Sequence, residues 1–260
     1  MRGGAVRYVA IGDSFTEGVG DELPDGAVLG WADRVAAGLA ATHRGDVRYA
    51  NLAVRGRLLA PIVTEQLEAA LSLTPAPTLI TLNGGGNDML RSGGDVASLV
   101  DLTERAVRRC ADTGVRLVLI SGADPSDRLP FGRRIHRRAA ALTAGIAALA
   151  AAHGLEFVDV FHDIEIRRPQ YWSADRLHLN GAGHQRVAEL VLAALGEGPA
   201  AQAASSGSAA ARGLLAEARY YREHVLPWIG RRLRGRSSGD NRAAKHPAWI
   251  PVPAVDHTPG

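Results

Sequence analysis

Five short apolar runs, each followed by a stretch of helical periodicity, limit what this chain can fold into. They cover residues 6–11, 47–52, 78–82, 115–120 and 155–160. A strand buried on one face alternates apolar with polar side chains, whereas one buried on both reads as a continuous apolar run. The runs at 6–11 and 115–120 are of the second kind. Between the runs, apolar residues recur at helical spacing, as Trp31, Val35 and Leu39 do along 31–42. Further helices are predicted over 58–73, with Pro61 in the first turn, and over 95–113, with Gly114 as C-cap. Two more are predicted over 133–153 and over 183–195, the last capped by Asn180. Strands and helices alternating at short intervals require parallel strands joined by crossover helices. The predicted class is α/β, a five-stranded parallel sheet with helices on both faces.

A chain of 260 residues, 46% of them hydrophobic, suits one sizeable domain with an appendage. The domain is read as 1–195, and the Ala/Gly/Ser-rich stretch 196–211 as a linker. Over 212–234, Leu214, Ala218, Tyr221, Val225 and Trp228 form one apolar stripe, which Pro227 should kink or end. Arg231, Arg232, Arg234 and Arg236 flank it, so the segment is amphipathic and basic. Packing against its own domain or a second subunit is the favoured reading, and an anionic membrane surface is the alternative. Residues 235–260 read as a poorly ordered tail. The net charge of +3 is small, and the basic excess falls after residue 211. The part before it carries no basic cluster interleaved with aromatics, so no nucleic-acid partner is expected. Cys110 is the only cysteine, which excludes an intramolecular disulfide and a cysteine-based metal cluster. No run approaches the ~20 apolar residues of a membrane span, and the N-terminus lacks a signal-peptide pattern. A cytoplasmic location is the expectation. Oligomeric state is left open.

Ser14, Gly56, Asn87 and the pair Asp175 and His178 all sit at, or in loops after, the right-hand ends of predicted strands. In a parallel sheet these ends open onto one edge. A serine hydroxyl is a poor nucleophile until a base such as neutral imidazole takes its proton. The imidazole needs a carboxylate to fix its tautomer, and a spacing of three in a tight turn puts Asp175 beside the Nδ1 of His178. An oxyanion needs donors aimed at it. The Asn87 amide and the Gly56 N–H are candidates. Each residue singly has a structural reading too: Asp175 as a cap, His178 as a hydrogen-bonded loop residue, Asn87 as an Asx-turn former.

Taken in order, Gly12-Asp13-Ser14, Gly56, Gly85-Gly86-Asn87-Asp88 and Asp175-Arg176-Leu177-His178 resemble the four signature blocks of the SGNH hydrolases, also called the GDSL esterase/lipase family. The resemblance covers about residues 5–195. It implies a flavodoxin-like three-layer α/β/α sandwich and carboxylic ester hydrolysis. It also implies Ser14 as nucleophile, His178 as general base and acid, and Asp175 as the orienting carboxylate. The oxyanion hole would be the Ser14 and Gly56 N–H groups and the Asn87 side chain. The mechanism calls for no metal or cofactor. The expected activity is a serine-dependent ester hydrolase, esterase/lipase-like or an O-deacetylase, acting through an acyl-enzyme on a small or short-chain acyl ester. An acyltransferase with the same triad and a non-catalytic binding protein on the same fold are the alternatives. Asp13 and Asp88 read as acceptors bracing the loops, and His184 as a packing or capping residue. His136, His153 and His162 show no obvious carboxylate partner at short range. Pocket shape is assigned to the loops 19–29, 124–131 and 167–173.

Overall fold

The structure, a computed structural model, describes residues 4–43, 46–91, 94–129, 131–198 and 242–253. The chain begins with β1 (Val6–Ile11), the single turn α1 (Ser14–Glu17), α2 (Trp31–Thr42) and β2 (Val47–Asn51). There follow α3 (Leu59–Pro61), a π-helical turn (Ile62–Gln66), α4 (Leu67–Leu71), β3 (Leu79–Leu82) and the short α5 (Gly86–Met89). Then come α6 (Val96–Thr113), β4 (Arg116–Ile120), α7 (Gly132–His153), β5 (Glu156–Val158), α8 (Gly181–Leu195) and β6 (His246–Pro251). The sheet order is β5-β4-β3-β1-β2-β6, and β1 to β5 are parallel throughout. The order 2-1-3-4-5 is that of the flavodoxin-like fold, in which connections leave β1 and β3 in opposite directions and open a crevice at their carboxyl ends.

The continuous apolar runs have a geometric cause. Successive side chains of a strand point to opposite faces, so Tyr8 and Ala10 join one core and Val9 and Ile11 another. The first core is closed by α2 and α8, the second by α3, α4, α6 and α7. Helix ends follow local chemistry. The Asp95 carboxylate accepts from Ser98 N at 3.0 Å and starts α6, and Asn180 Oδ1 accepts from Gly183 N at 3.1 Å and starts α8.

Four expectations are corrected. The sheet has six strands, because β6 pairs antiparallel with β2. It lies within the stretch 235–260, expected to be poorly ordered. Pro247 and Pro251 hide the strand from a periodicity search, yet an edge strand tolerates proline. Ile250 and Val252 pack against one core and Trp249 against the other. The predicted helix over 58–73 is interrupted by the π turn, and the fifth strand ends at Val158 rather than Val160. There the N–H groups of Val160 and Phe161 donate to Ser121 Oγ at 2.9 and 3.0 Å instead of to a ladder. The expected linker beyond residue 198 and the basic segment 212–234 lie outside the described residues.

Candidate active site

Ser14 is the first residue of α1, one turn after β1. The Asp13 carboxylate caps this turn by accepting from Phe15 N at 3.1 Å. Upstream, Gly12 is gripped on both sides by one buried amide: its N–H donates to Gln66 Oε1 at 2.8 Å, and Gln66 Nε2 donates to its carbonyl at 3.0 Å. Gln66 closes the π turn, a feature that often re-aims a side chain at functional sites. Glu17, at the other end of α1, accepts from Arg55 N at 2.7 Å and from the Arg55 guanidinium. This clamp ties the Ser14 turn to the loop carrying Gly56, whose φ of +78° suits glycine. Lys245, the chain's only lysine, donates to the Glu17 carbonyl at 3.1 Å and to Asp33 Oδ2 at 2.7 Å, so the segment entering β6 closes over the same turn.

The histidine arrives from the loop before α8. Gly20 (φ +101°) lies so close to it that a Cβ there would sit 2.0 Å from the Leu179 carbonyl. His178 Nε2 stands 3.0 Å from Ser14 Oγ, and His178 Nδ1 stands 2.6 Å from Asp175 Oδ2. The other carboxylate oxygen of Asp175 accepts from Ser173 Oγ at 2.6 Å and from the N–H groups of Leu177 and His178 at 3.0 Å. Burial opposes ionisation of Asp175, but the His178 ring and these donors outweigh it and hold the carboxyl well below its ordinary value. Asp13 differs: burial dominates and pushes it up to about 6, against the hydrogen bonds from Phe15 and Asn87.

Gly56 and Asn87 line one cleft of about 800 Å³ with Ser14, Asp175 and His178. Among the described residues, neither Ser14 N–H nor Gly56 N–H donates to a protein group. The Asn87 amide is engaged: Nδ2 donates to Asp13 Oδ2 at 2.9 Å and to the Arg57 carbonyl at 3.1 Å. A substrate oxygen would have to share one of these N–H groups. Asp88 braces the neighbouring loop by accepting from Leu59 N at 3.0 Å. A model of the GDSL-like lipase/acylhydrolase family matches residues 10–186. The chain belongs to this family.

As a member, it is a carboxylic ester hydrolase. No curated protein sequence matches this GDSL-family hydrolase. Among solved structures it is similar to a lipase, Lip_vut3, from a goat rumen metagenome. That match has 20% identity and a TM-score of 0.61, covering 74% of this chain and 98% of that one. It is similar to TesA at 24% identity and a TM-score of 0.58, covering 73% and 97%. It is also similar to a catalytic mutant of Axe2, an acetylxylan esterase from Geobacillus stearothermophilus. There the identity is 18% and the TM-score 0.61, over 75% and 97%. These likenesses are in fold.

The other histidines of this GDSL-family chain correct one expectation. His136 Nδ1 lies 2.7 Å from Asp124, His162 Nδ1 lies 2.8 Å from Asp159, and His153 Nε2 lies 3.6 Å from Glu104. Asp124 and Glu104 are distant in sequence and meet their histidines only on folding. Asp159 precedes His162 by the same three residues that separate Asp175 from His178. His184 is fully buried, accepting from Trp31 N at 3.2 Å, and burial lowers it to about 4. Among the described residues no group of three His, Cys, Asp or Glu side chains is placed to hold a metal ion. Gln66, Glu17 and Arg55 support the site and escaped the sequence reading, because each looks like an ordinary polar residue of a helix or loop. From the loops assigned to pocket shape, Val19, Leu129, Phe131 and Trp172 line the cleft, whereas Tyr171 is buried on Glu165. No described helix is long and apolar enough to cross a membrane.

Proposed function

We infer that this hydrolase cleaves a small-molecule carboxylic ester through an acyl-enzyme on Ser14. The observation carrying this reading is the unbroken chain from Ser14 Oγ through His178 to Asp175, at 3.0 and 2.6 Å. With its proton on Nδ1, shared with ionised Asp175, the imidazole presents a free Nε2 lone pair to the serine hydroxyl. Ser14 Oγ attacks the ester carbonyl carbon as His178 Nε2 takes its proton. The oxyanion is held by the Ser14 and Gly56 N–H groups, with Asn87 sharing one of its own. His178 then returns the proton to the leaving alcohol oxygen as the acyl–oxygen bond breaks. Water repeats the sequence on the acyl-enzyme, releasing the acid and restoring Ser14. Asp175 stays ionised and aligns the imidazolium.

The test is Ser14→Ala, assayed on p-nitrophenyl butyrate together with labelling by a fluorophosphonate. The variant should fold normally, lose turnover and take no label, while the wild type is labelled on Ser14. Turnover by Ser14→Ala at the wild-type rate would overturn the reading.

A further inference from the structure

The cleft is larger than a short acyl group needs, and part of its lining lies on α7. Besides Ser14 and the loop after β3, residues at the ends of β3 and β4 and on the inner stripe of α7 line it. Leu82 and Leu119 form the sheet wall, and Ile135, Ala139, Leu142 and Ile146 form the helix wall. Those four helix positions fall on one face. Ile135, Ala139 and Ile146 are only partly buried, although α7 closes the second core, and the surface they retain faces this space. Two polar side chains along it are turned to protein. Thr103 Oγ1 donates to the Leu99 carbonyl at 2.9 Å, and Asn83 Nδ2 to the Ile120 carbonyl at 2.9 Å. From Ile135 to Ile146 the helix advances about 16 Å, at about 1.5 Å per residue. The whole cleft, about 800 Å³, is within the range of pockets that enclose a drug-sized ligand.

Geometry also says which half of an ester belongs there. Leu179, next to His178, belongs to the core closed by α8, whereas Leu82, Leu119 and Leu142 of the channel belong to the core closed by α6 and α7. The leaving oxygen must sit beside His178 Nε2 to receive its proton. The acyl chain, on the other side of the tetrahedral carbon, is directed towards α7. Resting on the esterase reading above, we propose that the space between β3, β4 and α7 is an acyl-chain channel and that the preferred substrates are esters of unbranched acids of roughly eight to twelve carbons. An extended alkyl chain advances about 1.3 Å per carbon, from C–C bonds of about 1.5 Å, so that length fits. This departs from the short-chain acyl group expected from sequence.

The test is the kcat/KM of the full chain for p-nitrophenyl esters from acetyl to dodecanoyl, kept below their aggregation limits. The wild type should gain up to about fourfold per added methylene, chiefly through KM, to a plateau near the longest chains. Ala139→Phe narrows the channel near its entrance and should lower the decanoyl-to-acetyl ratio at least 50-fold. Ile146→Phe obstructs it deeper and should lower the dodecanoyl-to-butyryl ratio while sparing the hexanoyl-to-butyryl ratio. Thermal melts identify a variant that fails to fold, and the wild-type series and the second variant then decide. A wild-type profile that is flat or falls beyond butyryl overturns the channel, as does an unchanged length profile in a folded variant. If short esters are still hydrolysed and Ser14→Ala abolishes that, only the channel has failed. If no ester is cleaved and Ser14 takes no fluorophosphonate, the esterase reading has failed with it.

Discussion

Replacing Asp175 by asparagine should inactivate the enzyme without disturbing its fold, because the local hydrogen bonds dictate which way the amide must face. Oδ1 of Asp175 accepts from the N–H groups of Leu177 and His178 at 3.0 Å and from Ser173 Oγ at 2.6 Å. An amide nitrogen at that position would oppose two backbone donors, leaving half-buried N–H groups unpaired. The asparagine oxygen therefore takes the Oδ1 site, and its NH₂ takes the Oδ2 site, 2.6 Å from His178 Nδ1. There it can only donate, so Nδ1 must become the acceptor and the ring proton must move to Nε2. That nitrogen faces Ser14 Oγ at 3.0 Å and can no longer take the serine proton. A wrong-tautomer histidine of this kind costs about 10⁴-fold in turnover, or about 5 kcal/mol of transition-state stabilisation. The assay is kcat on a p-nitrophenyl ester, with circular dichroism and a thermal melt to show an intact fold. Asp175→Asn retaining more than a tenth of wild-type kcat would refute the tautomer argument and reduce Asp175 to a brace for its own loop.

Asn87→Ala should lower kcat on the order of a hundredfold or more with a smaller change in KM. An unchanged kcat would leave the Ser14 and Gly56 N–H groups as the whole oxyanion site. His184 makes stability depend on pH. Burial depresses its folded pKa to about 4 from an ordinary 6.5, so below pH 6.5 the unfolded chain binds the extra proton and stability falls as pH drops towards 4. Between pH 7 and pH 4, urea unfolding should show the wild type losing roughly 2–3 kcal/mol more than His184→Asn; parallel losses would refute the assignment. Lys245→Met removes the cation from Asp33, whose Oδ2 also accepts from Gly30 N at 2.8 Å. A nearly buried pair broken in this way should cost about 2 kcal/mol in the same assay, with Lys245→Arg recovering part of it. An unshifted midpoint would mean that the segment entering β6 adds nothing to the fold.

Much of the fold was legible because its cause is local. Where both faces of a parallel strand are buried, the apolar run is continuous, and β1 and α2 fall on the residues read from sequence. β6 was not legible, since its two prolines break the pattern and its partner β2 lies far away in the chain. The π turn was not legible either. It brings Gln66 onto both polar groups of Gly12, a tertiary demand that leaves no periodic trace.

The candidate site was legible by a different route, and the two Asp-x-x-His stretches show which. Asp159 and His162 repeat the local geometry of Asp175 and His178: a carboxylate oxygen on Nδ1 at 2.8 against 2.6 Å, and the histidine N–H on the other oxygen at 3.1 against 3.0 Å. Spacing alone therefore predicts the pair and not the chemistry. What separates them is the second ring nitrogen. That of His178 meets Ser14 across the sheet edge, with the side chain 18% exposed. The side chain of His162 is 60% exposed, and its ring lies edge-on to Phe161. The informative signal in the sequence was thus the order of the motifs on strands of one parallel sheet. Topology converts that order into proximity, because the loops after β1 and β5 open on the same edge. By the same logic the acyl channel escaped notice. It is a gap between elements, bounded by Leu82, Leu119 and one face of α7, and a motif search registers residues that are present.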